Sequence, residues 1–560
     1  MGAVPLGYSD GRDNEQYLHR VFDSGRDLSS GSTELETWIK DWPTEYHLSR
    51  KRAQLLKGFD FDPSASVLEV GCGCGAITRF LGETFKQVIS VEGSPHRAAL
   101  ARKRCRELDC VSIVAAPFQT IRFHRKFDIV FCIGVFEYSM HFIEGDDPYA
   151  QIIEYFADYL TDNGVLVLAI ENQYGLKYFA SASEDHTKAR YDGIEGYHRF
   201  SDKAKTFGYR QLKDYLLNRF KTVEYFFPFP DYKVPDGVLA EALFDHIDAA
   251  PLLASFKSRD YLRPYTPKFD ERLSWEGLVA NRQVPFFANS FIAVAGKSDS
   301  QELVRMKDLA VLYNRARAEP FHTLTRIYLA DSGHVIVEKK PLSGGKLGDG
   351  RFEIKPYTED WRHGQTVHME VRARALNKSA RFVDIFQPAL SWYEAVHSRA
   401  NGGQLDGEMV DAIWQNSLIV DGQAHYIDLE WFSAQPVPLN TLMIRAVYWF
   451  LVDLRSYPML AAILRWKTTA RIITDVAEQC GVELSQADFQ SFEEFETELH
   501  STALGRPQDR SKRHIKLVLR LPQQIIKYLQ CGEHRLSALR FYLAKVIRLA
   551  KRLYHERGSQ

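Results

Sequence analysis

Three groups of residues in this 560-residue chain have types and spacing that could do chemistry. The first is a glycine-rich turn placed directly after an apolar strand: Val67-Leu68-Glu69-Val70-Gly71-Cys72-Gly73-Cys74-Gly75. Glycines there let the backbone turn tightly and approach a ligand closely. Read as G-x-G-x-x-A, Gly71 to Ala76 would pass for a dinucleotide loop. Two features oppose that reading: the glycines alternate as G-x-G-x-G, and Glu69 stands two residues before the first of them. A carboxylate beside the loop would repel a pyrophosphate and suits a ligand with a cationic end. Glu92 closes the next apolar strand, 17 residues beyond Gly75, where an acid can accept hydrogen bonds from both ribose hydroxyls. The second group is Glu184-Asp185-His186. There His186 could serve as a general base, with Asp185 orienting it or acting as the base itself. A solvated turn is the competing reading. The third group is Asp411-x4-Asn416, followed one strand and a turn later by Asp428. Close oxygen ligands of this kind are what a divalent metal on phosphate needs.

The elements around the first group alternate. Val67–Val70, Val88–Val91, Ser112–Ala115, Asp128–Ile133 and Val165–Ile170 read as strands. Helices fit between them at Ile77–Phe85 and Pro95–Glu107, with another over Glu45–Lys57. Continuously apolar strands alternating with helices predict a parallel sheet covered on both faces. Thr222–Phe227 and Ser290–Ala295 can pair as the last two strands, with a long insertion between them, and residues 296–300 read as a boundary. The expected organisation is an N-terminal extension (1–58), an α/β domain (59–298), a mostly helical α+β domain (299–510) and a basic helical tail (511–560).

Glu69, the three glycines and Glu92 together resemble the class I methyltransferase family, with its Rossmann-like, seven-stranded sheet. The resemblance implies S-adenosylmethionine as cofactor. It places the methionine part against Glu69 and Gly71, Gly73 and Gly75, the ribose on Glu92, and the adenine near Pro117 and Phe118. The family often has an acid near Ala116, and this chain has none. The stretch from Glu171 to Tyr197 is similar to methyltransferase regions attached to bacterial surface-polysaccharide glycosyltransferases. Residues 42–49 and 227–232 share that similarity. It implies a glycan or lipid-linked polysaccharide acceptor and a glycosyltransferase partner.

In the second half, order and spacing resemble the aminoglycoside-phosphotransferase and protein-kinase-like fold. The resemblance implies that Asp411 handles the substrate proton and that Asn416 and Asp428 hold Mg2+. Lys339, on the strand Val335–Lys339, would bind ATP phosphates and pair with Glu370. Departures are visible: no His or Arg precedes Asp411 in the usual way, Leu429-Glu430 replaces Phe-Gly, and the glycines at 344–350 follow Lys339 instead of preceding it. Methyltransferases joined to kinase-like domains cap some bacterial O-antigen chains, so the architecture resembles that of a chain-terminating enzyme.

Composition bounds the rest. The chain is 45% apolar and 26% charged, as in globular proteins, and carries a net charge of -1. Its seven cysteines are odd in number and irregular in spacing, with no pair of CxxC knuckles, so neither a disulfide framework nor a zinc site is implied. No signal-peptide pattern and no long apolar run occurs, which predicts a cytoplasmic protein. Residues 511–560 hold twelve Lys/Arg against two acids, leaving about -11 on the remainder. Arg540, Lys545, Arg548, Lys551 and Arg552 fall on one face of a helical wheel opposite leucines, which suits an anionic membrane surface at the inner face of the membrane. A solvated basic face packed on the protein itself is the alternative. No nucleic-acid-binding module is recognised.

The reading that follows is an S-adenosylmethionine-dependent O-methyltransferase of a cell-surface glycan, with a second domain that phosphorylates the same acceptor. Its rivals make the C-terminal half a binding module or a glycosyltransferase, or make the whole a nucleic-acid methyltransferase.

Overall fold

The computed structural model describes residues 11–200, 204–299, 302–342, 350–421, 423–454 and 462–523. The chain divides into two compact units that interleave in sequence. The first comprises Met1–Leu262, Gly277–Tyr313 and Thr325–Val337; the second comprises Arg263–Glu276, Asn314–Leu324 and Glu338–Gln560. The single boundary expected at 296–300 is therefore replaced by several crossings.

The first unit is built on one sheet. Five strands run parallel: β1 (Ser66–Val70), β2 (Gln87–Glu92), β3 (Val111–Ala115), β4 (Phe127–Ile133) and β5 (Leu160–Glu171). β6 (Thr222–Phe229) and β7 (Gly237–Ala240) form an antiparallel pair. β8 (Ser290–Gly296) inserts antiparallel between β5 and β6, with Val167 opposite Val294 and Tyr225 opposite Ala293. β9 (Ala310–Asn314) pairs with β7, and β10 (Thr323–Leu329) follows it. The order is β3-β2-β1-β4-β5-β8-β6-β7-β9-β10. The seven expected strands are present in α/β arrangement, and the sheet is longer than seven. Without β7, β6 would present an open edge of unpaired backbone groups. Gly237-Val238-Leu239-Ala240 is too short a run to announce itself in the sequence, yet every residue of it is buried.

Helices cover the sheet. α1 (Arg12–Phe22) lies in the segment expected to be a polar extension. Its acids Asp13 and Glu15 sit in the first turn and His19 and Arg20 in the last, the arrangement that favours the helix dipole. Leu18, Val21 and Phe22 are fully buried against Leu35, Leu48, Cys74 and Leu100. A polar average over the first 58 residues conceals this i, i+3, i+4 stripe. α2 (Trp42–Leu48) starts at a capping box between Asp41 and Thr44. The single helix expected over 45–57 is interrupted, because Ser49 is extended and a new turn begins at Lys51. α3 (Ala76–Thr84), α4 (Pro95–Arg104) and α5 (Pro148–Tyr159) alternate with the parallel strands.

The second unit is α+β. It holds Lys339 on β11 (Val335–Pro341), a hairpin of β12 (Ser417–Val420) and β13 (Gln423–Tyr426), and helices α6 (Val367–Ala375), α7 (Leu439–Leu454), α8 (Gln486–Leu504) and α9 (Gln508–Arg520). α7 is buried on nearly all sides, with Leu442, Met443, Ile444, Val447, Phe450 and Leu451 fully enclosed. Trp392 and Trp414 meet edge to face beside it. A buried ionic group ties in the segment 263–276. Arg372 donates to Asp270 at 2.6 Å and to Asp453 at 3.0 Å, while Arg272 and His368 also reach Asp453. Among the described residues no helix is long and apolar enough to cross a membrane. Of the basic tail, Lys512, Arg513, Lys516 and Arg520 lie on α9. The amphipathic stretch around Arg540 to Arg552 lies outside the described residues, as do the glycines at 344, 345 and 348.

Candidate active site

The strand order of the first unit reverses between β1 and β4, and open α/β sheets bind ligands at the carboxyl ends of strands beside such a point. β1 leads into a loop where Gly71, Gly73 and Gly75 have φ of 80°, 54° and 85°. A Cβ on Gly71 would lie 2.3 Å from Val135 Cγ2, and one on Gly75 would lie 2.9 Å from the Ala101 backbone. Both dihedral and space therefore require glycine. Glu92, the last residue of β2, accepts from the Gly73 N–H at 2.8 Å and from the Ser94 N–H at 3.0 Å, tying the loop to the neighbouring strand. Glu69 is buried and accepts from the Ser90 hydroxyl at 2.7 Å. Burial pushes its carboxyl up to about 7 against the pull of that hydrogen bond.

These residues surround a cavity of about 570 Å3, a size suited to a nucleoside-type ligand. Glu69, Gly71, Gly73, Glu92, Pro117 and Phe118 all line it. Gly75 does not. It is the N-cap of α3 and sets the path of the chain behind the wall. Tyr46, Arg52, Arg97, Tyr138, His141 and Phe142 also line it.

Beyond Tyr138 lies a second group, collected at the carboxyl ends of β4 and β5. The Tyr138 hydroxyl meets His186 Nδ1 at 3.0 Å, and His186 Nε2 faces the Glu171 carboxylate at 3.6 Å. Asp185 does not orient His186, contrary to expectation. It is held by Lys177 at 3.2 Å, by Lys233 at 3.0 Å and by the Tyr178 hydroxyl at 2.6 Å. Two buried ammonium groups are stronger partners than an imidazole, and they take both of its oxygens. Burial opposes the charge on Asp185, but Lys177 and Lys233 outweigh it and hold the carboxyl down to about 2. Such a group is a poor proton acceptor. Burial likewise opposes an imidazolium at His186, and Glu171 outweighs it, raising the ring to about 9. Burial, reinforced by the Glu171 charge, pushes Glu137 up to about 8. Lys233 also pairs with Glu171, and Asp231 accepts from Tyr261 at 2.7 Å and faces Lys177 at 3.5 Å.

Sequence reasoning did not assign Glu137, Tyr138, Glu171, Lys177 or Lys233. The available signal was a charged residue closing an apolar strand, as Glu171 closes β5. Lys233 comes from the β6–β7 connection, which no local pattern brings to this place.

In the second unit, Lys339 pairs with Asp428 and lies 3.1 Å from Glu430. It does not pair with Glu370, which sits half-buried on α6 with Arg374, one turn on, as its neighbouring charge. The 428–430 loop offers the lysine two carboxylates at once. Asp428 has a φ of 55° and also accepts from Tyr357 at 3.0 Å. Asn416 donates to Asp411 at 3.1 Å, and Arg445 donates to the other oxygen of Asp411 at 2.9 Å. Asp411 is thus neutralised by a buried arginine. Asp411, Asn416, Asp428 and Lys339 do collect in one region, since Asp411 lies near enough to Asp428 to act on its charge.

Comparison with known proteins bears on the first unit. A family model described as a methyltransferase domain matches residues 67–164. No curated protein matches the chain. Among solved structures, an N-methyltransferase, NodS, from Bradyrhizobium japonicum in complex with S-adenosyl-L-homocysteine is 20% identical. The match covers 29% of this chain and 74% of that one, with a TM-score of 0.20. An S-adenosylmethionine-dependent methyltransferase from Clostridium acetobutylicum is 18% identical over 27% of this chain and 60% of its own, with a TM-score of 0.21. A methyltransferase from Thermotoga maritima is 17% identical over 47% and 95%, with a TM-score of 0.26. The matched residues run from β1 into β5 and take in the glycine loop, Glu92, Pro117 and Phe118: residues 67–164 of this chain are a methyltransferase domain.

Proposed function

We propose that this chain is an S-adenosylmethionine-dependent O-methyltransferase acting on a bacterial cell-surface glycan from the cytoplasmic side. The observation that carries the reading is a single cavity holding the glycine loop, Glu69, Glu92 and Phe118, with Tyr138 in its wall linked to His186. Glu69 suits the cationic amino-acid end of the cofactor and Glu92 the ribose, while Phe118 offers an aromatic face to adenine. Arg52 and Arg97, also in the lining, suit the cofactor's carboxylate. The sulfonium makes transfer an in-line displacement. A hydroxyl acceptor loses its proton as it attacks, and the polar group beyond Tyr138 is where such a hydroxyl would be held. The exposed aromatics Tyr174, Phe179 and Tyr191, in the segment that follows β5, favour a sugar, whose ring has apolar faces. The decisive measurement is calorimetric titration of S-adenosylmethionine into wild type and Glu92→Ala, followed by transfer of labelled methyl to polysaccharide fractions. Retained affinity in Glu92→Ala would overturn the cofactor assignment.

A second activity is favoured by the convergence of Lys339, Asp411, Asn416 and Asp428 in the second unit. In this reading the unit binds ATP with Mg2+ and phosphorylates the acceptor, and Asp428 is released from Lys339 to the metal. Titration of ATP with Mg2+ into wild type and Asp428→Ala tests it. Absence of binding to wild type would leave a binding module, and turnover of a nucleotide sugar would favour a glycosyltransferase. The basic tail is proposed to hold the enzyme at an anionic membrane surface, where a lipid-linked acceptor and its glycosyltransferase would be found.

A further inference from the structure

Behind Tyr138, one side-chain donor each from Glu137, Glu171 and His186 converges so that the three atoms lie within 4.8 Å of one another. Each comes from a different part of the frame: Glu137 from the turn after β4, Glu171 from the last position of β5, His186 from the loop beyond it. Glu137 is only 1% exposed, and its Oε2 has no hydrogen-bond partner. Leaving an acceptor in that state costs about 1–3 kcal/mol, more if it is charged. Glu171 is fully buried. Lys233 engages its Oε1, which leaves Oε2 facing His186 at a distance beyond hydrogen bonding.

Charge points the same way. Glu137, Glu171, Glu184, Asp185 and Asp231 are buried together, and the ammonium groups among them are those of Lys177 and Lys233. Five carboxylates against two ammonium groups leave a deficit of positive charge in a region that water does not screen. Protons could fill that deficit, or a divalent cation with fewer of them. An imidazole with two carboxylates is a donor set for first-row divalent ions such as Mn2+, Fe2+ or Zn2+.

We infer that Glu137, Glu171 and His186 bind a divalent cation on the acceptor side of the cofactor cavity, and that this ion activates the acceptor hydroxyl. The inference rests on the methyltransferase reading above. The ion's role is to hold the acceptor oxygen and ease loss of its proton to solvent. The oxygen lone pair then forms the O–CH3 bond. The S–CH3 electron pair stays on sulfur, giving a neutral thioether and one released proton. No other reactant is needed.

The test uses the full chain, stripped of metal by chelator and dialysed. Mn2+ is titrated in and its free fraction followed by electron paramagnetic resonance, with S-adenosylmethionine affinity measured on the same samples. Wild type is expected to take up one Mn2+. Glu137→Gln and His186→Gln should weaken it by more than the roughly 10–100-fold lost when a partner hydrogen-bonded to a ligand is removed. Neither residue lines the cofactor cavity, so both variants should keep S-adenosylmethionine affinity, which also shows that they fold. Wild type that binds S-adenosylmethionine but takes up neither Mn2+ nor Zn2+ overturns the inference and leaves the methyltransferase reading intact. Unchanged uptake in both variants overturns it as well. Wild type that takes up the metal but no S-adenosylmethionine overturns the methyltransferase reading and with it the role assigned to the ion.

Discussion

In the proposed cofactor site, the buried carboxylate of Glu69 would couple ligand affinity and stability to pH in opposite directions. Its folded-state carboxyl stands at about 7, above the ordinary 4.5. A raised value means that the folded state holds the proton more tightly. The contribution to stability is full below 4.5 and is lost as pH rises through about 7. It is on the order of 3 kcal/mol. Denaturant melts of wild type against Glu69→Gln should therefore show a steeper loss between pH 5 and pH 8 in wild type. A cationic ligand needs the ionised form. S-adenosylmethionine affinity should rise about tenfold from pH 6 to pH 8, following the ionised fraction, and Glu69→Gln should lose that slope. A flat profile in wild type would place the cationic end of the ligand elsewhere. At Gly71 a methyl group would meet Val135 at 2.3 Å on a backbone with φ of 80°. Gly71→Ala is expected to cost about 1–3 kcal/mol and to weaken cofactor binding at least tenfold, read by thermal melting and calorimetry.

Elements built from continuous apolar strands were legible in the sequence, and those built by pairing at a distance were not. β1 to β5 and the helices between them follow from periodicity and from the glycines that separate them. The residues that line the cavity were legible for the same reason: Glu69, Gly71 and Gly73 share one strand-turn unit, and Glu92 closes the next strand. α1 was concealed because its apolar stripe is three residues wide within a polar segment. Asp185 and His186 were read as a pair because they are adjacent in sequence, yet their side chains diverge, one to Lys177 and Lys233, the other to Glu171 and Tyr138. The same blindness to distant pairing hid the anchorage of 263–276 through Asp270, Arg272, Arg372 and Asp453. Removing the carboxylate that three cationic or polar side chains share takes one buried partner from each of them. Asp453→Ala should destabilise the second unit by about 3–5 kcal/mol, measurable as a lowered denaturation midpoint. A change under about 1 kcal/mol would mean that water reaches the network.

For the whole molecule, a net charge of -1 conceals two opposed populations, about +10 on residues 511–560 and about -11 on the rest. Full-length protein should float with vesicles containing anionic lipid, and the association should weaken steeply as salt is raised. Protein ending at Gln523 should remain in solution. If it still floats, the tail is not the anchor. One property of the sheet bears on how the chain is made. β8, which separates β5 from β6, is the last of the three to be synthesised. Until residue 296 has left the ribosome, two finished apolar strands wait with an open edge each. At about 5–20 residues per second that wait lasts about 3–13 seconds. The nascent chain is therefore most exposed to mispairing between the completion of β6 and the arrival of β8. A holding chaperone, or a translational pause placed after residue 296 instead of before it, would raise the yield of folded enzyme.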